Sequence, residues 1–258
     1  MQEFKMAALM LATLTVAGLA QNQPAWTERS AKDVERILND SPWGQTQVET
    51  DISEMTYSPT NGSSGKTSLG NSATMRAEQA QRNNNRAQEG AYNKAVGINY
   101  RIRLLSAKPI REAIAQDILL HQAKLGDDKK ALELRKEMQS FIDRDFVGYI
   151  AVAVTYDADD GRLAGKAFQD FNSAIFSTLK NNTYLELDDG QRVFLIDYRG
   201  PIEDGIGARF VFPRMADGRP FVTKDTAQIR FYSEVGPKVT LNRRFKVSDM
   251  FYQGKLEY

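Results

Sequence analysis

The chain has 258 residues, 34 basic and 33 acidic side chains, a formal net charge of +1, one histidine and no cysteine. Without cysteine, thiol catalysis and Cys-based metal sites are gone, and a single histidine removes multi-histidine metal sites and paired-histidine chemistry. The near-cancelling charge offers no broad attraction to nucleic acid or to anionic lipid.

Lys5 precedes an apolar and small run from Met6 to Ala20, and polar Gln21, Asn22 and Gln23 follow. That order predicts a secretory signal over residues 1–20, cleaved near Ala20, where Gly18 and Ala20 supply small side chains. The run is shorter than the roughly twenty residues of a membrane-crossing helix. A cleaved signal is therefore expected over a retained anchor, leaving no stable membrane span after cleavage and a bacterial protein in the periplasm or outside the cell. With no thiol to acylate, a lipoprotein is excluded, and an exported chain of this length must hold itself together by packing alone.

Residues 21–46 predict an N-terminal helix and clasp. Ser30 and Asp33 have capping spacing, and Val34, Ile37 and Leu38 follow at helical intervals up to Asn39. Pro42 stops further helix, and Trp26 and Trp43 need apolar cover. Residues 47–258 predict one domain. Its first strand is expected over Gln47 to Tyr57, carrying Val48, Thr50 and Ile52. Residues 58–93, rich in Gly, Ser, Thr, Asn, Gln and Arg, read as a long mobile insertion.

From Gly97, Ile98, Tyr100, Ile102 and Leu104 alternate with Asn99, Arg101 and Arg103, the period of a strand with one wet face. A helical insertion over 106–145 follows. Its first helix has Pro109 in the first turn and Ile110, Ile114, Ile118, His121 and Leu125 on one face. Gly126 ends that helix, and Asp127 or Asp128 caps a second with Leu134, Met138, Phe141 and Ile142 inward. Val147 to Tyr156 is nearly all apolar and fits a strand buried on both faces. A second helical insertion, 165–180, places Phe168, Phe171, Ile175 and Leu179 at helical spacing.

Further strands are expected at Tyr184 to Leu187, Arg192 to Tyr198, Gly207 to Phe212, Ala227 to Val235, Val239 to Val247 and Met250 to Tyr258. Asp160-Gly161, Asp189-Gly190, Asp204-Gly205 and Asp217-Gly218 are turn dipeptides, and those at 189 and 217 mark β-hairpins. The predicted fold class is mainly β with helical insertions (α+β), an antiparallel β-sandwich, immunoglobulin-like or related, with an inserted helical hairpin.

Motifs with chemical potential are few. Thr60 to Thr67 resembles a P-loop, but Thr60 stands where glycine is needed and Ser68 to Met75 supplies no apolar helix, so a flexible linker is expected. Asp157, Asp159, Asp160 and Gly161 suggest a calcium loop, yet the spacing fails the EF-hand pattern and no bidentate Glu closes it. His121 reads as a partly buried helix-boundary histidine rather than a catalytic base. Outward Arg101, Arg103, Arg230, Arg243 and Arg244 read as a solvated face, with Glu234 and Asp249 able to pair with them. Tyr232, Phe251 and Tyr252 could stack on sugars but sit at strand positions where packing is the commoner role. The alternation from Met250 to Tyr258 resembles the last strand of an outer-membrane barrel; the charged helices between Ser106 and Arg144 argue instead for a closing strand of a soluble sheet.

Three pieces carry a wider likeness: Val34 to Trp43 with its Ile37-Leu38-Asn39-Asp40-Ser41-Pro42-Trp43, Ser106 to Ala113, and Tyr252 to Tyr258. Together they resemble a family of uncharacterised exported bacterial proteins. The resemblance implies export and transfers no catalytic or binding residue. Neither a catalytic residue, nor a cofactor, nor a metal ligand is expected. The predicted function is an envelope interaction or structural module whose partner is an unknown envelope protein or glycan, with no nucleic acid. The alternative is a carboxylate-dependent hydrolase acting on glycans or peptides, which would need two acids drawn close in a cleft.

Overall fold

The computed structural model describes residues 25–51, 96–122, 128–158, 161–202, 204–237 and 239–258. The expected signal, the insertion 58–93 with its P-loop lookalike, the far part of the first expected strand, Gly126 and Asp159-Asp160 lie outside the described residues.

A 3-10 turn at Trp26–Glu28 leads to helix α1, Ala31–Asn39. Ser30 caps α1 as the spacing predicts, its Oγ accepting the Asp33 N–H at 3.2 Å. Val34 and Leu38 point inward. Strand β1, Gly44–Asp51, leaves the helix so tightly that a Cβ on Gly44 would lie 2.4 Å from the Leu38 carbonyl oxygen. Strand β2 is Val96–Leu104, and helices α2 (Lys108–Gln122) and α3 (Asp128–Ile142) form the expected hairpin. Trp26 packs against that hairpin beside Ala115, Met138 and Ile142.

Strand β3 is Tyr149–Ala158, with every residue from Ile150 to Val154 buried, because both of its faces are covered. Helix α4 is Gly161–Ser173 and the one-turn α5 is Phe176–Leu179. The continuous helix expected over 165–180 is thus broken. The Phe171 carbonyl, which a continuing helix would offer to the Ile175 N–H, instead accepts the Tyr198 phenol at 2.6 Å. Phe171 is fully buried and stacks on Tyr156 at 5.2 Å, while Phe168 and Ile175, expected inward beside it, are exposed.

The remaining strands are β4 (Thr183–Leu187), β5 (Arg192–Phe194), β6 (Asp197–Arg199), β7 (Ala208–Pro213), β8 (Met215–Ala216), β9 (Arg219–Pro220), β10 (Gln228–Glu234), β11 (Thr240–Lys246), β12 (Phe251–Tyr252) and β13 (Lys255–Leu256). One sheet has the order β1-β2-β3-β7-β6 and a second β11-β10-β4-β5, and every pair in both is antiparallel. The expectation of mainly antiparallel β structure with helical insertions holds. Phe210 and Phe212 of the first sheet meet Phe231 of the second edge-on, at centroid distances of 5.4 and 6.1 Å.

The expected single strand Arg192 to Tyr198 is two strands in different sheets. The crossing falls between Leu195, whose N–H reaches Thr183 of the second sheet, and Ile196, whose N–H reaches Val211 of the first. At the opposite edges β1 and β11 are stitched by side chains: Gln45 donates to the Arg244 carbonyl (2.9 Å), Gln47 to the Thr240 carbonyl (2.7 Å) and Arg243 to the Thr46 carbonyl (2.8 Å). The stitching occupies edge groups that would otherwise be open to another chain.

Two arginines expected outward turn in. Arg103 is buried and donates to the Leu38 carbonyl and to Asn39 Oδ1, both at 3.0 Å, satisfying carbonyl ends of α1; burial lowers its pKa to about 10. Arg243 sits opposite buried Phe231 rather than on the wet face. The expected closing strand from Met250 to Tyr258 is instead the hairpin β12–β13. Its two-residue turn, Gln253-Gly254, has φ of 49° and 77°, the primed geometry that twists in step with its strands.

Candidate functional site

The outer face of the second sheet carries two adjacent rows that cross its strands. Register places Asn242, Tyr232, Tyr184 and Phe194 side by side, and beside them Arg244, Arg230, Glu186 and Arg192. Alternation on β4, β5, β10 and β11 puts all eight on the same side, opposite the buried Leu185, Val193, Ile229, Phe231 and Phe245. At about 4.8 Å per strand step, each row spans roughly 14 Å.

The aromatic row is ordered. Tyr184 and Tyr232 stack at 5.1 Å with planes 21° apart, and Phe194 meets Tyr184 edge-on at 5.9 Å. The Arg192 guanidinium lies 4.3 Å from the Tyr184 ring centre, and that of Arg230 lies 5.2 Å from the Tyr232 ring centre. Glu186 ties the second row together, accepting from Arg192 Nε at 2.5 Å and from Arg230 Nη1 at 3.2 Å. Burial, the largest single influence on Glu186, opposes its charge, but the hydrogen bonds and charges of Arg192 and Arg230 together hold its carboxyl below the usual range. Arg230 Nε also donates to Asn242 Oδ1 at 2.9 Å. Tyr232 donates to Glu234 at 2.5 Å, and that bond is the main reason its phenol titrates high.

Phe194 is 46 % exposed, and Asn242 and Arg244 are exposed beside it. Among the described residues Arg244 has no carboxylate partner, since Glu186 is shared by Arg192 and Arg230 and Asp249 pairs with Lys246 at 3.1 Å. Arg244 nevertheless stands directly opposite Arg230 in the ladder. Like charges in that position cost stability.

The sequence names Arg230, Arg244 and Tyr232 but not Tyr184, Glu186, Arg192, Phe194 or Asn242. The signal that joins them is the alternation of outward residues on β4 and β5 on either side of the Asp189-Gly190 turn.

A cleft of about 760 Å³ opens where β4 turns into β5, lined by Asp188, Asp189, Asp217, Asp225 and Arg219 among others. Two of its acids are engaged by backbone: Asp188 accepts the Ala227 N–H (3.3 Å) and Asp189 the Gln191 N–H (2.9 Å). Among the described residues no group of three or more His, Asp or Glu side chains could hold a metal ion. Asp157 of the calcium-loop reading pairs with Arg101 at 3.0 Å. His121 is exposed, its Nδ1 2.8 Å from the Asp117 carbonyl, because α2 emerges from the core beyond Gln116.

The three motif segments of the resemblance converge on one buried network. Arg29 donates to Glu112 (2.6 Å) and to the Tyr252 oxygen (2.8 Å), and Tyr252 donates to the same Glu112 oxygen (2.6 Å). All three are at most 5 % exposed. Burial, and next the Glu112 hydrogen bond, push the Tyr252 phenol up to about 12. Trp43 meets Tyr252 edge-on and donates to the Glu257 carbonyl at 2.8 Å, and the Lys108 N–H reaches the Glu257 carboxylate at 3.1 Å. Arg111 donates to the Ile142, Leu105 and Ser106 carbonyls. The network binds the clasp, α2 and the last hairpin together.

No family model matches the chain, and no curated protein matches it. A protein of unknown function from Burkholderia pseudomallei, known from a crystal structure, is similar to this chain with a TM-score of 0.38 and 12 % identity, over 66 % of this chain and 87 % of its own.

Proposed function

We propose that the protein is an exported interaction module of the bacterial envelope that binds its partner through the outer face of the second sheet. The carrying observation is the pair of rows on that face, in which half-buried Tyr184, Tyr232 and Arg230 are held by one another and by Glu186 while Arg192, Phe194, Asn242 and Arg244 are exposed beside them. Tyr, Phe and Arg are the side chains that dominate binding energy at protein interfaces, and rigid anchors lose little entropy on association. Export is supported by the charge, apolar run and small residues of positions 1–20.

The test is photo-crosslinking in intact cells with a reactive residue placed at Phe194 or, as a control, at Arg36 of α1. A reproducible adduct from position 194 that is missing from position 36 is expected. Equal adducts from both positions, or none from 194, overturn the assignment.

A carboxylate-dependent hydrolase remains the competing function, and the acidic cleft favours it. Purified protein would then turn over a glycan or peptide from a broad panel and lose that activity in Asp225→Asn.

A further inference from the structure

We infer that the partner of the outer face is a protein surface rich in carboxylates, an inference that rests on the face being the binding site. The row Arg244, Arg230, Glu186, Arg192 holds three guanidiniums and one carboxylate. Arg230 and Arg244 face one another across the ladder, and Glu186 is already engaged by Arg230 and Arg192. The row therefore carries an excess of positive charge, with Arg192 and Arg230 held in place and Arg244 exposed beside them, and an anionic partner removes the repulsion that the row contains.

Donors are available to receive it. A guanidinium carries five N–H donors in a planar fork that matches a carboxylate. Arg230 spends its Nε on Asn242 and one N–H on Glu186, and Arg192 spends its Nε on Glu186. Stacking on Tyr184 and Tyr232 fixes the planes of both forks, so binding a carboxylate requires little further ordering.

The ring geometry decides between an acidic protein and an acidic glycan. A sugar is held by stacking on an open aromatic face. Here Tyr184 is enclosed by Tyr232, Phe194 and Arg192, and Tyr232 by Tyr184 and Arg230. The tyrosine faces are thus engaged within the row, and Phe194 is left as an exposed apolar side chain, which suits apolar and carboxylate side chains of a protein.

The experiment titrates the full chain with fluorescent poly-L-glutamate and, separately, with a polyuronate, reading anisotropy at low and high salt. Poly-L-glutamate should bind, with an affinity that falls as salt rises. Arg244→Glu combined with Arg192→Gln should weaken it by about tenfold or more, whereas Arg36→Glu on α1 should leave it unchanged. Circular dichroism and thermal melting check that each variant folds. Binding of polyuronate alone overturns the acidic-protein inference. So does binding that Arg36→Glu weakens as much as the paired variant does, and so does no binding to either polymer. The crosslinking at Phe194 reports independently on the face, so an adduct there with no polyglutamate binding rejects the partner chemistry and keeps the site.

Discussion

Arg29, Glu112 and Tyr252 in the clasp, and Arg230, Glu186 and Tyr232 on the outer sheet face, bring the same three side-chain types together in opposite surroundings. In the clasp the phenol bridges carboxylate and guanidinium away from water. On the sheet the carboxylate binds two arginines, and the phenol turns to Glu234 while its ring supports a cation. Removing one partner from a fully buried ion pair strands the other in a low-dielectric interior, whereas on the sheet half-exposed Arg192 keeps water within reach of its pair with Glu186, and losing a partner there costs less. The contrast separates a group that holds distant segments of the chain together from one that pairs neighbouring strands and also presents charge to solvent. The like-charged Arg230 and Arg244 sharpen that separation, since they cost the fold something.

Four variants can break or sharpen the contrast. Glu112→Ala should have the largest effect, a loss of about 3–5 kcal/mol in denaturant unfolding, because it leaves Arg29 charged and buried. A loss under about 1 kcal/mol would show that water reaches the clasp and would collapse the distinction. Replacing all three members together, Arg29→Met, Glu112→Leu and Tyr252→Phe, should cost less than Glu112→Ala alone, because no buried charge is stranded.

Tyr252→Phe should follow, at about 1–3 kcal/mol, since it removes the phenol that donates to Glu112. The same variant carries a pH signature. The fold holds this phenol at about 12, and an unfolded tyrosine titrates near 10. The folded state keeps its proton longer, so the stabilisation is complete below pH about 10 and is lost as pH rises from there through about 12. Stability of the parent should fall over that window, and that of Tyr252→Phe should fall less steeply; equal slopes would remove Tyr252 from the account. Glu186→Gln should have the smallest effect, about 1 kcal/mol by thermal melting, because the amide oxygen still accepts from the two arginines and Arg192 is half-exposed. A loss as large as that of Glu112→Ala would make the outer face a structural element after all.

Features set by local pattern were legible in the sequence. Ser30 announced the start of α1, the valine-rich run announced the doubly covered β3, and strict alternation announced β10. Features set by distant partners were not. No turn residue interrupts the run from Arg192 to Tyr198, and the exchange of hydrogen-bond partners at Leu195 and Ile196 is what moves the chain between sheets. The break between α4 and α5 depends on Tyr198, 27 positions from the carbonyl it takes. Arg103 looks like a wet-face residue until the end of α1 is placed above it. The candidate site divides in the same way. Outward arginines and Tyr232 could be named one strand at a time, but the rows exist only in the register between strands, which four separate segments set jointly.

The bond from Trp43 to the Glu257 carbonyl joins positions 214 apart along the chain. Contacts of such long sequence separation are slow to form, because loop closure costs entropy before any contact repays it. The indole therefore behaves as a clock for folding. Its fluorescence should change only when β1 and the last hairpin have found one another, in a late phase set apart from early helix formation. Substituting Trp26, the other tryptophan, would leave that phase readable by itself.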